Sequence, residues 1–199
     1  MNGSDLHIGA VVLAAGNASR FGAAKQTLPI KGMPMVRLVA MAALEAGLSP
    51  VVVVTGAYGD AVARSLDGLA VHRADNPDWT SGMGTSLAFG VTAAAAQAAS
   101  LQAVLVLLAD QPAITAADLR GMLEAHASAP ERILAARYED HLGPPCIFPR
   151  TIFDELMALR GPHGARLLLK HHATCVDAYD LPSAALDIDT PADYAAWSP

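Results

Sequence analysis

Val11 to Val36 reads VVLAAGNASRFGAAKQTLPIKGMPMV, and its opening residues decide the fold. Val11, Val12 and Leu13 form an apolar run that breaks abruptly into Ala14, Ala15 and Gly16, after which Ser19, Arg20 and Lys25 come before the next helical pattern. This is a buried strand, then a loop of small residues, then two cations. A loop leaving the carboxyl end of a parallel strand sits where open α/β sheets bind ligands, and small residues let backbone N–H groups approach a polyanion closely. Leu13, Ala14, Ala15, Gly16 and Ser19 are therefore candidate contacts for a bound polyphosphate, with Arg20 and Lys25 as its counter-charge. The spacing excludes a P-loop. That motif needs four residues between its glycines and a Lys directly after the second, whereas five residues separate Gly16 from Gly22 and Lys25 comes three later.

Outward from this stretch the pattern is doubly wound. Pro34 can open a helix at its first position, and apolar residues at Met35, Val36, Val39, Ala42 and Ala43 keep helical spacing until Gly47. Val51 to Val54 is a run of β-branched residues without alternation, which means burial on both faces and a parallel sheet covered by helices. A short helix over 60–66 and a strand over 70–73 continue a β-loop-α-β-α-β order, predicting an α/β, three-layer, mostly parallel, Rossmann-like sheet. Asn76 to Ser86, NPDWTSGMGTS, is a second loop; backbone donors at Ser81, Gly82 and Met83 can read a base or ribose, or the loop is simply a capped helix start. It lacks the last glycine of a dinucleotide fingerprint. Leu101 to Leu108 is a strongly apolar strand that ends in Asp110. A carboxylate there faces the ligand crevice and suits Mg²⁺, which takes one or two carboxylates together with substrate phosphates. Thr115 and Asp118 already cap the next helix, leaving Asp110 free of that duty.

Glu131 to Arg137 suggests another strand, with a polar loop over 138–143 where Gly143, Pro144 and Pro145 prevent a helix. Helical spacing returns over 151–159, and Gly164-Ala165-Arg166 opens a further helix, placing Arg166 as an anion contact or a surface ion-pair partner. A last strand over 175–178 precedes Asp187-Ile188-Asp189-Thr190-Pro191, where alternation puts Asp187 and Asp189 on one side, so that one can face Asp110. Thr190 or Asp189 also suits a helix cap.

Composition narrows the function. The chain has 199 residues, 53% hydrophobic and 16% charged, as expected for one well-buried domain over 1–199. A net charge of -6 argues against a nucleic-acid surface, which needs a broad basic face, whereas a nucleotide needs only local cations. Cys146 and Cys175 lie far apart with no CxxC spacing and read as buried, reduced thiols. The first residues lack the basic segment of a secretory signal, so the expected location is the cytoplasm. The uncharged stretch 80–109 is interrupted by glycine and polar residues and reads as a buried helix and strand, not a membrane span.

Taken whole, LAAGNASRFGAAKQTLPIKGMPMV resembles the signature of the MobA-like nucleotidyltransferases, and its LAAG, SRFG and KQTLP elements look most like the molybdenum cofactor cytidylyltransferase branch (MocA type). The resemblance runs from Val11 to Tyr194. It implies that the Ser81-Gly82-Met83 region helps recognise the nucleotide and that Gly143 and Pro144 line the acceptor side, although this chain has Gly-Pro-Pro where Gly-Pro-Gly-His is usual. It gives Arg166, in a similar Gly-Ala-Arg, an anion-binding place on the acceptor side. It makes Asp189, the Asp before Thr-Pro, the second ligand of the divalent metal, Mg²⁺ with Mn²⁺ as the alternative, with Asp187 as second choice. The implied substrates are CTP and molybdenum-loaded molybdopterin, and the implied products molybdopterin cytosine dinucleotide and pyrophosphate. Asp110 and the metal would then align the reacting phosphates while Lys25 and Arg20 neutralise the leaving group. Spacing alone leaves open a guanylyltransferase, a sugar-phosphate nucleotidyltransferase, or a non-catalytic cofactor carrier serving a molybdenum hydroxylase.

Overall fold

A computed structural model of the chain describes residues 6–17, 21 and 24–197. Among these residues nine strands and seven α-helices follow in order. The first part runs β1 (Ile8–Leu13), β2 (Pro29–Ile30), β3 (Met33–Pro34), α1 (Met35–Glu45), β4 (Val51–Thr55), α2 (Gly59–Ser65), β5 (His72–Asp75) and α3 (Met83–Gln97). The second runs β6 (Ala103–Leu108), α4 (Ala116–Ala127), β7 (Ile133–Tyr138), β8 (His141–Pro149), α5 (Phe153–Met157), α6 (Arg166–His171), β9 (Val176–Asp180) and α7 (Pro191–Trp197).

Seven strands form one sheet in the order β5-β4-β1-β6-β8-β7-β9, while β2 and β3 make a separate small hairpin. Within the large sheet only β8 runs against its neighbours, pairing antiparallel with β6 and β7. The expected mostly parallel, doubly wound sheet is what forms. Its centre is dry on both faces: Ala10, Val11 and Val12 of β1 and Val51 to Val54 of β4 are all at most 1% exposed. Alternate residues of each strand enter two different cores. Val12, Val53 and Leu105 pack with α1, α2 and α4 on one face, and Val11, Val52 and Val104 pack with α3, α5 and α6 on the other. Three layers result.

Strand β8 departs from the sequence reading, which makes 138–143 a loop. Only Glu139 and Asp140 turn, with Glu139 at φ 52°, and His141 already pairs with Tyr138. Prolines lack the N–H a ladder needs, so Gly-Pro-Pro looks like the end of regular structure. The sheet absorbs them in a bulge: Ala136 pairs with Gly143 and Ala135 with Cys146, so Pro144 and Pro145 are skipped by the register. Two smaller differences concern helix starts and thiols. Pro34 precedes α1 as its cap position in the hairpin, and Cys175 is exposed while only Cys146 is buried. Among the described residues no helix is long and apolar enough to cross a membrane.

Two outcomes follow from this packing. A Cβ added at Gly90, on the inner face of α3, would lie 2.4 Å from Val11 Cγ1 and 2.6 Å from Val54 Cγ2. Gly90→Ala gains about 1 kcal/mol of helix propensity and still destabilises by about 1–2 kcal/mol net, read from urea denaturation, because neither valine can retreat within a full core. Burial pushes the Cys146 thiol up to about 12. A thiol reagent at neutral pH should therefore label the native protein once, at Cys175, and reach Cys146 only after denaturation.

Candidate functional site

The site is assembled at the carboxyl ends of β1 and β6, where the strand order reverses and open α/β sheets bind ligands. The end of β1 is tied to both neighbours, Ala109 N–H after β6 donating to Leu13 O at 3.1 Å and Ala14 N–H to Val54 O of β4 at 2.9 Å. The loop leaving β1 is then fastened from within by Gln26, which is 4% exposed. Its Nε2 donates to Ala14 O at 3.1 Å and Gly16 O at 2.6 Å, so one amide fixes both ends of the small-residue turn. With Gln26 turned inward, Lys25 reaches across to the end of β6.

Lys25 Nζ stands between two carboxylates. It lies 2.9 Å from Asp110 Oδ2 and 2.7 Å from Asp189 Oδ1. Asp110 follows β6 directly, and its carbonyl accepts the Ile188 N–H at 3.0 Å. Ile188, fully buried, packs with Ile30 and Met35, while Tyr194 Oη donates to Pro29 O at 2.7 Å. The chain terminus is thereby anchored on the hairpin that follows the loop, and Asp189 emerges beside Lys25. Thr190 caps α7 in the reciprocal manner expected, exchanging hydrogen bonds with Asp193. Asp189 is thus free of capping through its side chain and faces the lysine.

Charge in this cluster is mutually adjusted. Burial presses the Lys25 ammonium down, but Asp110 and Asp189 together outweigh it and hold its pKa above the ordinary lysine value. The Asp187 carboxyl is pushed up, first by partial burial and then by the charges of Asp189 and Asp110. Among the described residues no group of three or more His, Cys, Asp or Glu is arranged to hold a metal ion. The pair Asp110 and Asp189 nonetheless fits Mg²⁺ as that ion is used with phosphate substrates. The two carboxylates already converge on one cationic nitrogen, and Asp110 Oδ1 is buried without a partner among the described residues.

A cavity of about 530 Å³ opens beside this cluster, within the range of small-molecule sites. Leu13, Ala15 and Gly16 form its floor at the end of β1, and Lys25, Asp110 and Asp189 its ionic edge. The facing wall comes from the second loop, through Trp79, Thr80, Gly82 and Met83. That loop is held by Asn76, whose Nδ2 donates to Thr85 Oγ1 at 3.3 Å and Ser86 Oγ at 3.1 Å. Trp79 is seated against Gly56, where an added Cβ would meet Trp79 Cβ at 2.7 Å and Ala15 O at 2.6 Å.

Not every residue singled out from sequence stands here. Ser19 and Arg20 lie outside the described residues. Ala14 is buried behind the floor. The Ser81 and Gly82 amides are spent inside a tight turn, on Asp78 O at 3.0 Å and Trp79 O at 3.2 Å. Gly82 and Gly84 serve a close backbone approach instead: a Cβ at Gly82 would lie 2.6 Å from Gly161 C and O, and Gly84 N–H donates to Gly161 O at 2.8 Å. Gly143 is buried, and Pro144 O accepts from Gln111 Nε2 at 3.3 Å, which puts this segment behind Asp110 and off the cavity wall. Arg166 is exposed at the start of α6, likewise off the wall. Sequence reading passed over Gln26, Trp79 and Gln111. Gln26 sits inside KQTLP and Gln111 directly after Asp110, so their positions carried a signal, but a glutamine's inward turn is set by tertiary contacts.

Comparison with known proteins agrees with this geometry. The profile of the MobA-like NTP transferase domain matches residues 10–176. The chain is 31% identical over 191 residues to the nicotine blue oxidoreductase of Paenarthrobacter nicotinovorans, covering 90% of this chain and 91% of that one. It is 32% identical over 200 residues to the purine catabolism protein PucB of Bacillus subtilis (strain 168), covering 92% of each. Among solved structures, Rv0371c from Mycobacterium tuberculosis H37Rv superposes with a TM-score of 0.81 at 28% identity over 98% of both chains. Its manganese complex superposes with a TM-score of 0.76.

The ion pair has a defined pH window. Because the folded pKa of Lys25 is raised above 10.5, the stability it contributes is fully present below that pH and is lost as pH rises through the folded value. In urea denaturation across alkaline pH, the stability difference between the wild type and Lys25→Met should stay level to about 10.5 and shrink above it. A difference that is flat through that window would show that the lysine carries no such coupling.

Proposed function

Because the chain belongs to the MobA-like NTP transferase family, we propose that it is a molybdenum cofactor cytidylyltransferase. In this reading residues 1–199 act as one nucleotidyltransferase unit in the cytoplasm. It transfers CMP from CTP to the terminal phosphate of molybdenum-loaded molybdopterin, releasing pyrophosphate. The observation that carries it is Lys25 held between Asp110 and Asp189 at the mouth of the β1 loop. Cytosine over guanine rests on LAAG in the loop, and the molybdopterin acceptor on the same resemblance.

The chemistry follows from the charges. Both reactants are anionic, so the barrier is repulsion and the alignment of attacking and leaving oxygens; no side-chain nucleophile is needed. The loop Leu13 to Gly16 receives the triphosphate, and Gln26 keeps that loop rigid so that its geometry is set before substrate arrives. Trp79 offers an aromatic face in the cavity on which the base can stack. Asp110 and Asp189 hold Mg²⁺, or Mn²⁺ in its place, and when bound that ion supplies Lewis-acid polarisation of the phosphoryl oxygens. Lys25, with Arg20, neutralises the charge that accumulates on the departing pyrophosphate.

Incubation with each of the four nucleoside triphosphates, Mg²⁺ and molybdenum-loaded molybdopterin tests this directly. Pyrophosphate should appear with CTP alone, and Lys25→Ala should lower turnover roughly 10²- to 10³-fold while leaving the circular dichroism spectrum unchanged. Release with GTP, or with a sugar phosphate as acceptor, would reassign the substrate. No release with any triphosphate would move the function to a cofactor carrier.

A further inference from the structure

Lys25 occupies the seat that the proposed reading gives to the metal. Its Nζ is within hydrogen-bond distance of one oxygen from each carboxylate, and only 12% of its side chain is exposed. Asp110 keeps its second oxygen, Oδ1, buried and without a partner among the described residues, which is costly for a charged group. The lysine therefore compensates the acidic pair incompletely. An ammonium makes point-like contacts and brings one charge, whereas a divalent ion brings two and accepts oxygen from both acids at once.

The same lysine lines one cavity with the loop that receives phosphates in that reading. It cannot neutralise a leaving pyrophosphate while both neighbouring carboxylates hold it. A flexible four-carbon stem can turn Nζ from the carboxylates to the adjacent loop without moving the backbone.

We infer that Lys25 is an internal placeholder for the divalent ion, neutralising Asp110 and Asp189 in the nucleotide-free protein and released towards the phosphates only when that ion takes the pair. This rests on the assignment of Asp110 and Asp189 as metal ligands. Two properties follow. The nucleotide-free protein binds a divalent ion weakly, because the ion must displace a bonded cation. Ion and triphosphate bind with positive coupling, because Lys25 loses its partners to the one and gains new ones from the other.

Manganese titration of the nucleotide-free protein, followed by the paramagnetic resonance signal of free Mn²⁺, reads the first property. Lys25→Met should bind Mn²⁺ about tenfold more tightly than the wild type, within the range of ordinary coupling between ligands. Asp110→Asn and Asp189→Asn should each lose binding. Equal or weaker affinity in Lys25→Met, with binding still lost in the aspartate variants, would overturn the placeholder and leave the metal assignment standing. Unchanged affinity in both aspartate variants would overturn that assignment itself. The wild type supplies a measurement that needs no variant: Mn²⁺ should raise the rate at which Lys25 is reductively methylated, followed by peptide mass, and an unchanged rate would equally overturn the placeholder.

Discussion

The arrangement depends on one attraction: the Lys25 ammonium is shared by two carboxylates, Asp110 in the middle of the chain and Asp189 164 residues beyond the lysine. Unscreened, two carboxylates converging on one point repel by a few kcal/mol at an effective dielectric near 20. Something must hold them there, and it is backbone. Ile188 is gripped twice, by the Asp110 carbonyl through its N–H and by Ile30 and Met35 around its side chain. Asp110 is fixed because β6 ends beside β1, and Lys25 because Gln26 pins the preceding loop. The ionic cluster is thus a consequence of packing, and its lysine relieves a repulsion that the packing would otherwise impose.

The sheet decides where such a cluster can form. Strands β1, β4 and β6 are parallel neighbours, so their carboxyl ends and the loops leaving them lie along one edge. The chain grows from β1 through β4 to β5 and then returns past β1 to β6, opening a crevice at the reversal. One side of that crevice is ionic, from the β1 loop and the end of β6. The other carries Trp79 from the loop before α3 and Met83 from the start of α3, a helix that packs on the face of the sheet shared with α5 and α6. A ligand with an anionic end and a flat apolar end is accommodated by this division better than one uniformly charged.

Much of this was readable in the residues, and the failures have physical causes. Strands buried on both faces announce themselves by unbroken valines and leucines, as in β1, β4 and β6, and Asp110 is conspicuous because it interrupts such a run at its end. The capping pair Thr115 and Asp118 was legible for the same local reason, and both of its hydrogen bonds are present. Strand β8 was not, because Gly143, Pro144 and Pro145 are locally hostile to a ladder and only the long-range pairing with β6 makes a bulged strand worth forming. The packing role of the glycines at 82 and 84 was hidden in the same way. A glycine signals close approach without saying of what, and here the partner is the backbone at Gly161, some eighty residues on. Cys175 failed because the expected strand over 175–178 starts one residue later, which leaves Cys175 in an exposed turn before β9 at the edge of the sheet.

Net charge adds a last constraint. The chain carries -6, so a free triphosphate approaches a surface that on average repels it, and screening beyond about 8 Å at physiological salt leaves only nearby groups to reverse that sign. Asp110, Asp189 and Lys25 together still sum to a negative charge. An incoming polyanion would meet its own sign at the ionic edge unless a divalent cation accompanied it. On the proposed reading, a site repulsive to the bare nucleotide and attractive to its metal complex would select the reactive form of the substrate before any chemistry begins.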